Sequence, residues 1–196
     1  MITEIFTNRL LLRHFERSDA DFDRTMATDP DVMEHLGGVL SREQIDRDLV
    51  DFRRRGGDGS IGVWTLIERA TSAPVGSLFL TPMPIEAEDT EWDTIEPGKW
   101  PEGPVEIGYQ LQKSAWGAGF ATEACRGLLK HAFDTTPLSE IFGVFEDGHD
   151  ASERVLIKCG FVKQDPMRAY AEDLPAYRVT KERFLIHMAG FNDAAR

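Results

Sequence analysis

The chain has 196 residues, 41% of them hydrophobic and 29% charged, with a formal net charge of −12. That is long enough for one domain with a full core and ordinary for a globular chain, and no run of about 18 apolar residues is present to cross a membrane. The acidic balance argues against a nucleic-acid partner, which needs a basic surface. Cys125 and Cys159, with no C-x-x-C and no histidine cluster, read as small core residues rather than metal ligands.

The N-terminal MITEIFTNRLLLRHF has neither the basic nor the continuously apolar region of a signal peptide, so a cytoplasmic protein is expected. Within it, Thr7–Phe15 has β-like apolar content behind a turn-prone start and reads as the first strand. Ser18 and Asp19 offer N-caps for a helix to about Thr28, stopped by Asp29-Pro30. Ser41, followed by Glu43 and Gln44, opens a second helix with Ile45, Leu49 and Phe52 on one face. Its basic end, Arg53–Arg55, suits the negative end of the helix dipole, and Gly56-Gly57 closes it. Ile61–Glu68 and Pro74–Leu80 form a hairpin by spacing, joined by Arg69–Ala73, and Pro82 and Pro84 stop its second strand.

Residues 85–104 form an insertion that contains Trp92 and Trp100. A loop of this length in a compact domain is functional or disordered, and the two tryptophans favour an ordered loop beside a binding cleft. From Glu86 to Glu102 seven acidic residues face only Lys99. They read either as a solvated surface or as a rim that attracts a cation.

The stretch EIGYQLQKSAWGAGFATEACRGLLKHAF, Glu106–Phe133, organises the rest. Glu106–Leu111 reads as a strand. Ala124, Cys125, Leu128, Leu129, Ala132 and Phe133 then take the spacing of one buried helix face. Between them, Gly117, Gly119 and the small Ala121 let backbone come close to a ligand where a helix begins. Free N–H groups and the positive end of the dipole meet there, which suits a phosphate or pyrophosphate. A plain βα turn would use the same residues. So would a dinucleotide fold, with Gly117, Gly119 and Thr122 in the register of G-x-G-x-x-G and Glu146 as the ribose acid, although Thr122 replaces a glycine and the loop begins late. After Pro137, Glu140–Glu146 reads as a strand. Asp150–Cys159 reads as a short helix capped by Asp150 or Ser152 and ended by Gly160, with Phe161 folding back. Ala176–Thr180 is a further strand, and Lys181–Ala189 a terminal helix or turn. The alternation makes residues 1–196 a single α/β or α+β domain.

The central stretch resembles the acetyl-CoA motif of the GNAT superfamily of N-acyltransferases. In the branch similar to ribosomal-protein-alanine acetyltransferases it reads E-I-G-Y, then W-G-x-G-x-A-T-E-A. Glu106, Ile107, Gly108 and Tyr109, then Trp116, Gly117, Gly119, Ala121, Thr122, Glu123 and Ala124, match it. The wider superfamily has Arg or Gln where Trp116 stands. HDASERVLIKCGF resembles the family's second segment, N-x-x-S-x-R-V-L-E-K-x-G-F, through Ser152, Arg154, Val155, Leu156, Lys158, Gly160 and Phe161, with His149 in place of Asn. N-R-L-x-L-R at Asn8–Arg13 and Y-R-V-T at Tyr177–Thr180 carry the resemblance over nearly the whole chain.

The resemblance implies a mixed, mostly antiparallel sheet whose central strands, Glu106–Leu111 and Glu140–Glu146, splay apart between flanking helices. Acetyl-CoA, the donor substrate, is expected in that V. Its pyrophosphate would lie on the turn of Gly117, Ala118, Gly119, Phe120 and Ala121 and its pantetheine near His149, with Trp116, Thr122, Ser152 and Lys158 also among the donor-binding residues. Backbone N–H groups of Tyr109, Gln110 and Leu111 would polarise the thioester. No metal is expected. The acetyl group would pass directly to a primary amine, either a protein N-terminus or a small cation such as a polyamine or aminoglycoside. Glu106 is the candidate base, through water, with a structural ion pair as its other reading. Many members carry a tyrosine acid where Leu156 stands here, so Ser152 is the candidate acid, with an N-cap as its other reading. A non-catalytic acyl-CoA-binding module and a nucleotide-binding protein are the rival functions. Neither nucleic acid nor membrane is expected as a partner, and the chain would be a monomer or homodimer.

Overall fold

A computed structural model describes residues 4–194. Its main sheet runs β1 (Glu4–Phe6), β2 (Leu10–His14), β4 (Ile61–Glu68), β5 (Ala73–Pro82), β6 (Val105–Leu111), β7 (Glu140–Val144), β11 (Ala176–Thr180) and β8 (Val162–Lys163), with the two-residue β3 (Arg55–Gly56) beside β4. Every neighbouring pair is antiparallel except β6 and β7. A separate hairpin pairs β9 (Met167–Ala169) with β10 (Glu172–Leu174). The helices are α1 (Ala20–Ala27), α2 (Pro30–Met33), α3 (Arg42–Asp51), α4 (Phe120–Thr135), α5 (Asp150–Lys158) and α6 (Lys181–Ala194). None is long and apolar enough to cross a membrane.

The apolar stripe of α4 lies on the sheet as its spacing requires. Ala124, Cys125, Leu128, Leu129, Ala132 and Phe133 are fully buried against Leu10, Leu12, Trp64, Leu66, Leu78 and Leu80. Each leucine and phenylalanine among them contributes on the order of 1.5–3 kcal/mol on leaving water. Both cysteines are buried and free. On the opposite face a smaller aromatic cluster forms from Phe15, Phe52 and Val63, with Phe79 and Trp92 against it.

Several local expectations change. The first strand is shortened to β2, because the Thr7 hydroxyl and the Leu10 backbone bond one another and turn the chain back to β1. Asp19 precedes α1 but does not cap it. Its carboxylate is taken by Arg13 at 2.6 Å, by the Glu16 N–H and by the Thr65 hydroxyl. Pro30 opens α2 as well as ending the previous turn, since a first-turn proline forfeits no hydrogen bond, and Asp29 caps it by accepting from the Asp31 N–H at 2.9 Å. Ser41 opens α3 as expected, and it forms a capping box with Gln44. Of the following arginines, Arg55 serves the end of the helix, donating to the carbonyl of its C-cap Phe52. Arg54 pairs with Asp51 and Asp93, and Arg55, half-buried, donates to the carbonyls of Phe52, Arg54 and Phe15.

The 85–104 insertion is ordered by its tryptophans. The Trp92 ring sits 5.3 Å from Phe52, and Trp100 presses on Gly57, where a Cβ would stand 2.7 Å from the indole. Three of its acids are neutralised: Glu86 by Arg168, Asp93 by Arg54 and Glu96 by Lys99.

Beyond one bridge between Glu106 and Phe142, β6 and β7 part. This is the sheet's one opening among the described residues. The antiparallel pairing on either side rules out a doubly wound dinucleotide fold, whose sheet is parallel.

Candidate active site

The site grows from the loop between β6 and α4. Gly117 and Gly119 both take the left-handed conformation, at φ +72° and +81°, and Gly119 is the N-cap of α4. Only glycine enters that region without a steric penalty. A Cβ on Gly117 would meet nothing within 4 Å, so open space lies above the loop. The first intrahelical bond runs from the Glu123 N–H to the Gly119 carbonyl. The N–H groups of Phe120, Ala121 and Thr122 therefore precede the ladder and end at the open space.

That space is a cleft of about 420 Å³ where β6 and the Gly117–Thr122 loop face α5. Tyr109, Gln110, Leu111, Trp116, Gly117, Gly119, Phe120, Ala121 and Thr122 line one arm, and His149, Ser152 and Lys158 the other. Nearly all the residues singled out from the sequence thus come together. Ala118 does not line the cleft; its carbonyl instead accepts from the Arg9 guanidinium at 2.8 Å. Trp116 is half-exposed and held by its indole N–H on the Leu111 carbonyl at 2.8 Å.

Ser152 does not cap α5. The cap position is His149, whose side chain makes no capping bond. Ser152 is buried instead, with the Tyr109 hydroxyl 3.0 Å from its Oγ and donating to its carbonyl at 3.0 Å. Burial, with the Cys125 thiol beside it, keeps the Tyr109 phenol well above its ordinary range. Leu156 fills the place of the family's tyrosine as a core residue, packed on Gly143.

Glu106 lies at the floor of the V and not on the cleft wall. Successive side chains of a strand face opposite sides, so Glu106 and Gln110 point away from Tyr109. Glu106 is 4% exposed. No cation pairs with it among the described residues, so the ion-pair reading fails. Burial pushes its carboxyl up to about 7, against the pull of a hydrogen bond from the Tyr170 hydroxyl. On the same face the Gln110 amide reaches Asp23 at 3.5 Å. Asp23 is buried and pushed up to about 7 by burial and then by Asp48 and Asp19, while Asp48 is raised to about 6 by burial and by Asp89.

Sequence reasoning missed the segment that crosses the cleft mouth. Asp31, Val32, Glu34, His35 and Leu36 line it. Asp31 bonds Lys113 on one arm. On the other, His35 stacks on His149 at 4.2 Å and its Nδ1 lies 3.3 Å from Glu146. Burial, then His35, depresses the basicity of His149. α2 is only four residues long and too short for periodicity to reveal. Arg9 was also missed. Its guanidinium and N–H bond Glu123, which holds that carboxylate below its usual range despite burial, and it lies 4.6 Å from the Phe120 ring. The N-R-L-x-L-R run was its only signal.

A mixed sheet with one splayed parallel pair, a glycine loop at a helix start and a cleft between them define an acetyltransferase of the GNAT kind. The model of the acetyltransferase (GNAT) domain family matches residues 9–162, and the chain belongs to that family. It is 27% identical over 177 residues to the uncharacterised protein YkkB of Bacillus subtilis, covering 89% of this chain and 94% of that one. A GNAT-family acetyltransferase of Bacillus anthracis superposes with a TM-score of 0.69 at 21% identity, covering 91% of this chain and 99% of that one. A spermidine N-acetyltransferase of Vibrio cholerae, in complex with CoA and spermine, superposes at 0.66 and 15% identity, covering 90% and 98%.

Proposed function

We propose that this acetyltransferase takes acetyl-CoA in the cleft between β6 and β7 and passes the acetyl group directly to a small cationic primary amine. The observation that carries this reading is the junction of the parted strands with the Gly117–Thr122 loop. One end of the cleft offers free backbone N–H groups for a pyrophosphate, and the other the backbone of Tyr109–Leu111 for a thioester carbonyl. Arg154 and Lys158, on the α5 wall, supply positive charge for the phosphates of the donor.

An amine must be neutral to attack, and a free ammonium with a pKa near 10.4 seldom is at pH 7. Glu106, titrating at about 7, accepts its proton through water. The nitrogen attacks the carbonyl carbon, the developing oxyanion rests on the strand N–H groups, and collapse breaks the C–S bond. The proton that the nitrogen sheds on collapse reaches the departing thiolate through the Ser152 hydroxyl, which is hydrogen-bonded to Tyr109 and ends as it began. One N–C bond forms and one C–S bond breaks.

The acceptor side supports a cation. Asp23, Asp48 and Asp89 gather by Gln110 on the face of the sheet that Glu106 also occupies, and together they favour a positively charged ligand. The Vibrio cholerae neighbour, named for spermidine, lends the same direction. Calorimetric titration with acetyl-CoA beside NAD tests the donor, and thiol release against a panel of polyamines, aminoglycosides and N-terminal peptides tests the acceptor. Micromolar binding of acetyl-CoA alone, with turnover of polyamines or aminoglycosides, is expected. Turnover of peptides alone would move the acceptor to a protein N-terminus, the substrate of the branch its motif resembles. No acetyl-CoA binding by the folded protein would end the reading.

A further inference from the structure

The β9–β10 hairpin has no part in the acetyl-CoA cleft, yet one of its side chains reaches the floor of the V. Ala169 pairs with Glu172, which leaves Tyr170 and Ala171 as a two-residue turn. Both adopt positive φ, at 53° and 59°. Such a turn matches the twist of a hairpin but is ordinarily built from Asn-Gly, because a Cβ disfavours the left-handed region. Two consecutive residues other than glycine hold it here. They are clamped from Pro84 and the start of the 85–104 insertion: the Tyr170 N–H donates to the Pro84 carbonyl at 3.1 Å, the Ala171 N–H to the Ile85 carbonyl at 3.0 Å, and Arg168 pairs with Glu86 at 3.0 Å. Strain of this sort persists only where the surroundings over-determine it, and it concentrates at functional positions.

The turn sends the Tyr170 side chain inward onto Glu106 Oε1. Glu106 Oε2 accepts no hydrogen bond from the described residues. Thr81 stands opposite Glu106 on β5 and Phe142 on β7, neither of them charged. Asp89 and Thr90 approach the Tyr170 hydroxyl from the insertion. We propose that Tyr170 is a positioning residue for Glu106: the clamped turn drives its hydroxyl onto one carboxylate oxygen and leaves the other to take the acceptor's proton. The insertion and the hairpin thereby become part of the catalytic apparatus. This inference rests on the reading of Glu106 as the base.

Removing the hydroxyl takes away the interaction that favours the charged carboxylate. Tyr170→Phe should therefore move the acid limb of the kcat/KM profile upward by about one pH unit and lower the plateau kcat. Site-specific 3-fluorotyrosine at position 170, a stronger donor, should move the limb downward. A role confined to packing would move neither. The Glu106 carboxyl, followed by carbon-13 NMR without substrate in the same proteins, should shift in parallel. An unchanged limb and an unchanged carboxyl titration in folded Tyr170→Phe protein would overturn the inference. Loss of the acid limb in Glu106→Gln supports the base reading beneath it. Full activity in Glu106→Gln would remove that reading, while the carboxyl titration would still decide whether Tyr170 holds Glu106.

Discussion

Gly119 combines a left-handed backbone with the start of the long helix, so any side chain there is disfavoured twice if a ligand lies above the loop. Gly119→Trp should cost the fold about 1–2 kcal/mol through its backbone alone. It should also weaken acetyl-CoA at least about a hundredfold, or about 2.7 kcal/mol, by filling the cradle. Circular dichroism and calorimetry separate the two effects, and unchanged affinity in a folded variant would refute the cradle. Asp23 makes a different prediction. Its folded pKa, about 7, exceeds the ordinary 3.8 because burial and then Asp48 and Asp19 oppose its charge. The folded state therefore binds more protons than the unfolded chain between those values. The contribution is present below about pH 4 and is lost as pH rises to 7. Asp23→Asn should flatten that slope and raise stability at pH 8 by about 1–3 kcal/mol, measured by denaturation at several pH values. A slope identical to that of the wild type would mean the carboxyl is solvated. The carboxyl sits on α1, and nothing in its local sequence marks it as buried; the packing that covers it brings in Gln110, 87 residues away, at 3.5 Å.

At the scale of elements, α5 is set on the sheet by a single size match. Gly143 on β7 leaves room for Leu156, and a Cβ there would fall 2.8 Å from both of its terminal methyl carbons. Gly143→Ala should destabilise by about 1–3 kcal/mol through overpacking. Because His149, Ser152 and Lys158 ride on α5 and its cap, affinity for acetyl-CoA should fall with it. Thermal melts and titration of the same protein check both, and a full loss of stability with unaltered affinity would detach α5 from the cleft. The helix ends in a glycine turn, with Gly160 at φ +90° and the Phe161 N–H on the Leu156 carbonyl at 3.1 Å. That end was legible from Gly160 and Phe161. Its beginning was not, because Asp150 and Ser152 are both good cap residues, whereas the cap position falls on His149 and Ser152 is buried against Tyr109.

For the whole molecule, the proposed cationic acceptor should be drawn in by the net charge of −12 and the acids near Gln110. The KM for a cationic acceptor should rise severalfold between about 50 and 500 mM salt, as screening shortens the reach of exposed charge. A KM indifferent to salt would assign acceptor recognition to uncharged contacts. Part of the acid of the 85–104 insertion, conspicuous in sequence, is spent on Arg168, Arg54 and Lys99. Composition counts charges but cannot tell which of them face one another. The family and the glycine turn at the start of α4 were readable because they depend on neighbours in sequence: left-handed glycines, the N–H groups after them, and an apolar stripe of helical period along α4. The order of the strands, the width of their opening and the approach of Tyr170 to Glu106 across 64 residues depend on which distant segments pack together. Such contacts are selected by the burial of the whole core and leave no local signature. The chain by itself therefore determined where a glycine turn at a helix start must lie, and tertiary packing alone decided which carboxylate was desolvated, which tyrosine bonds it and which distant segment lines the cleft.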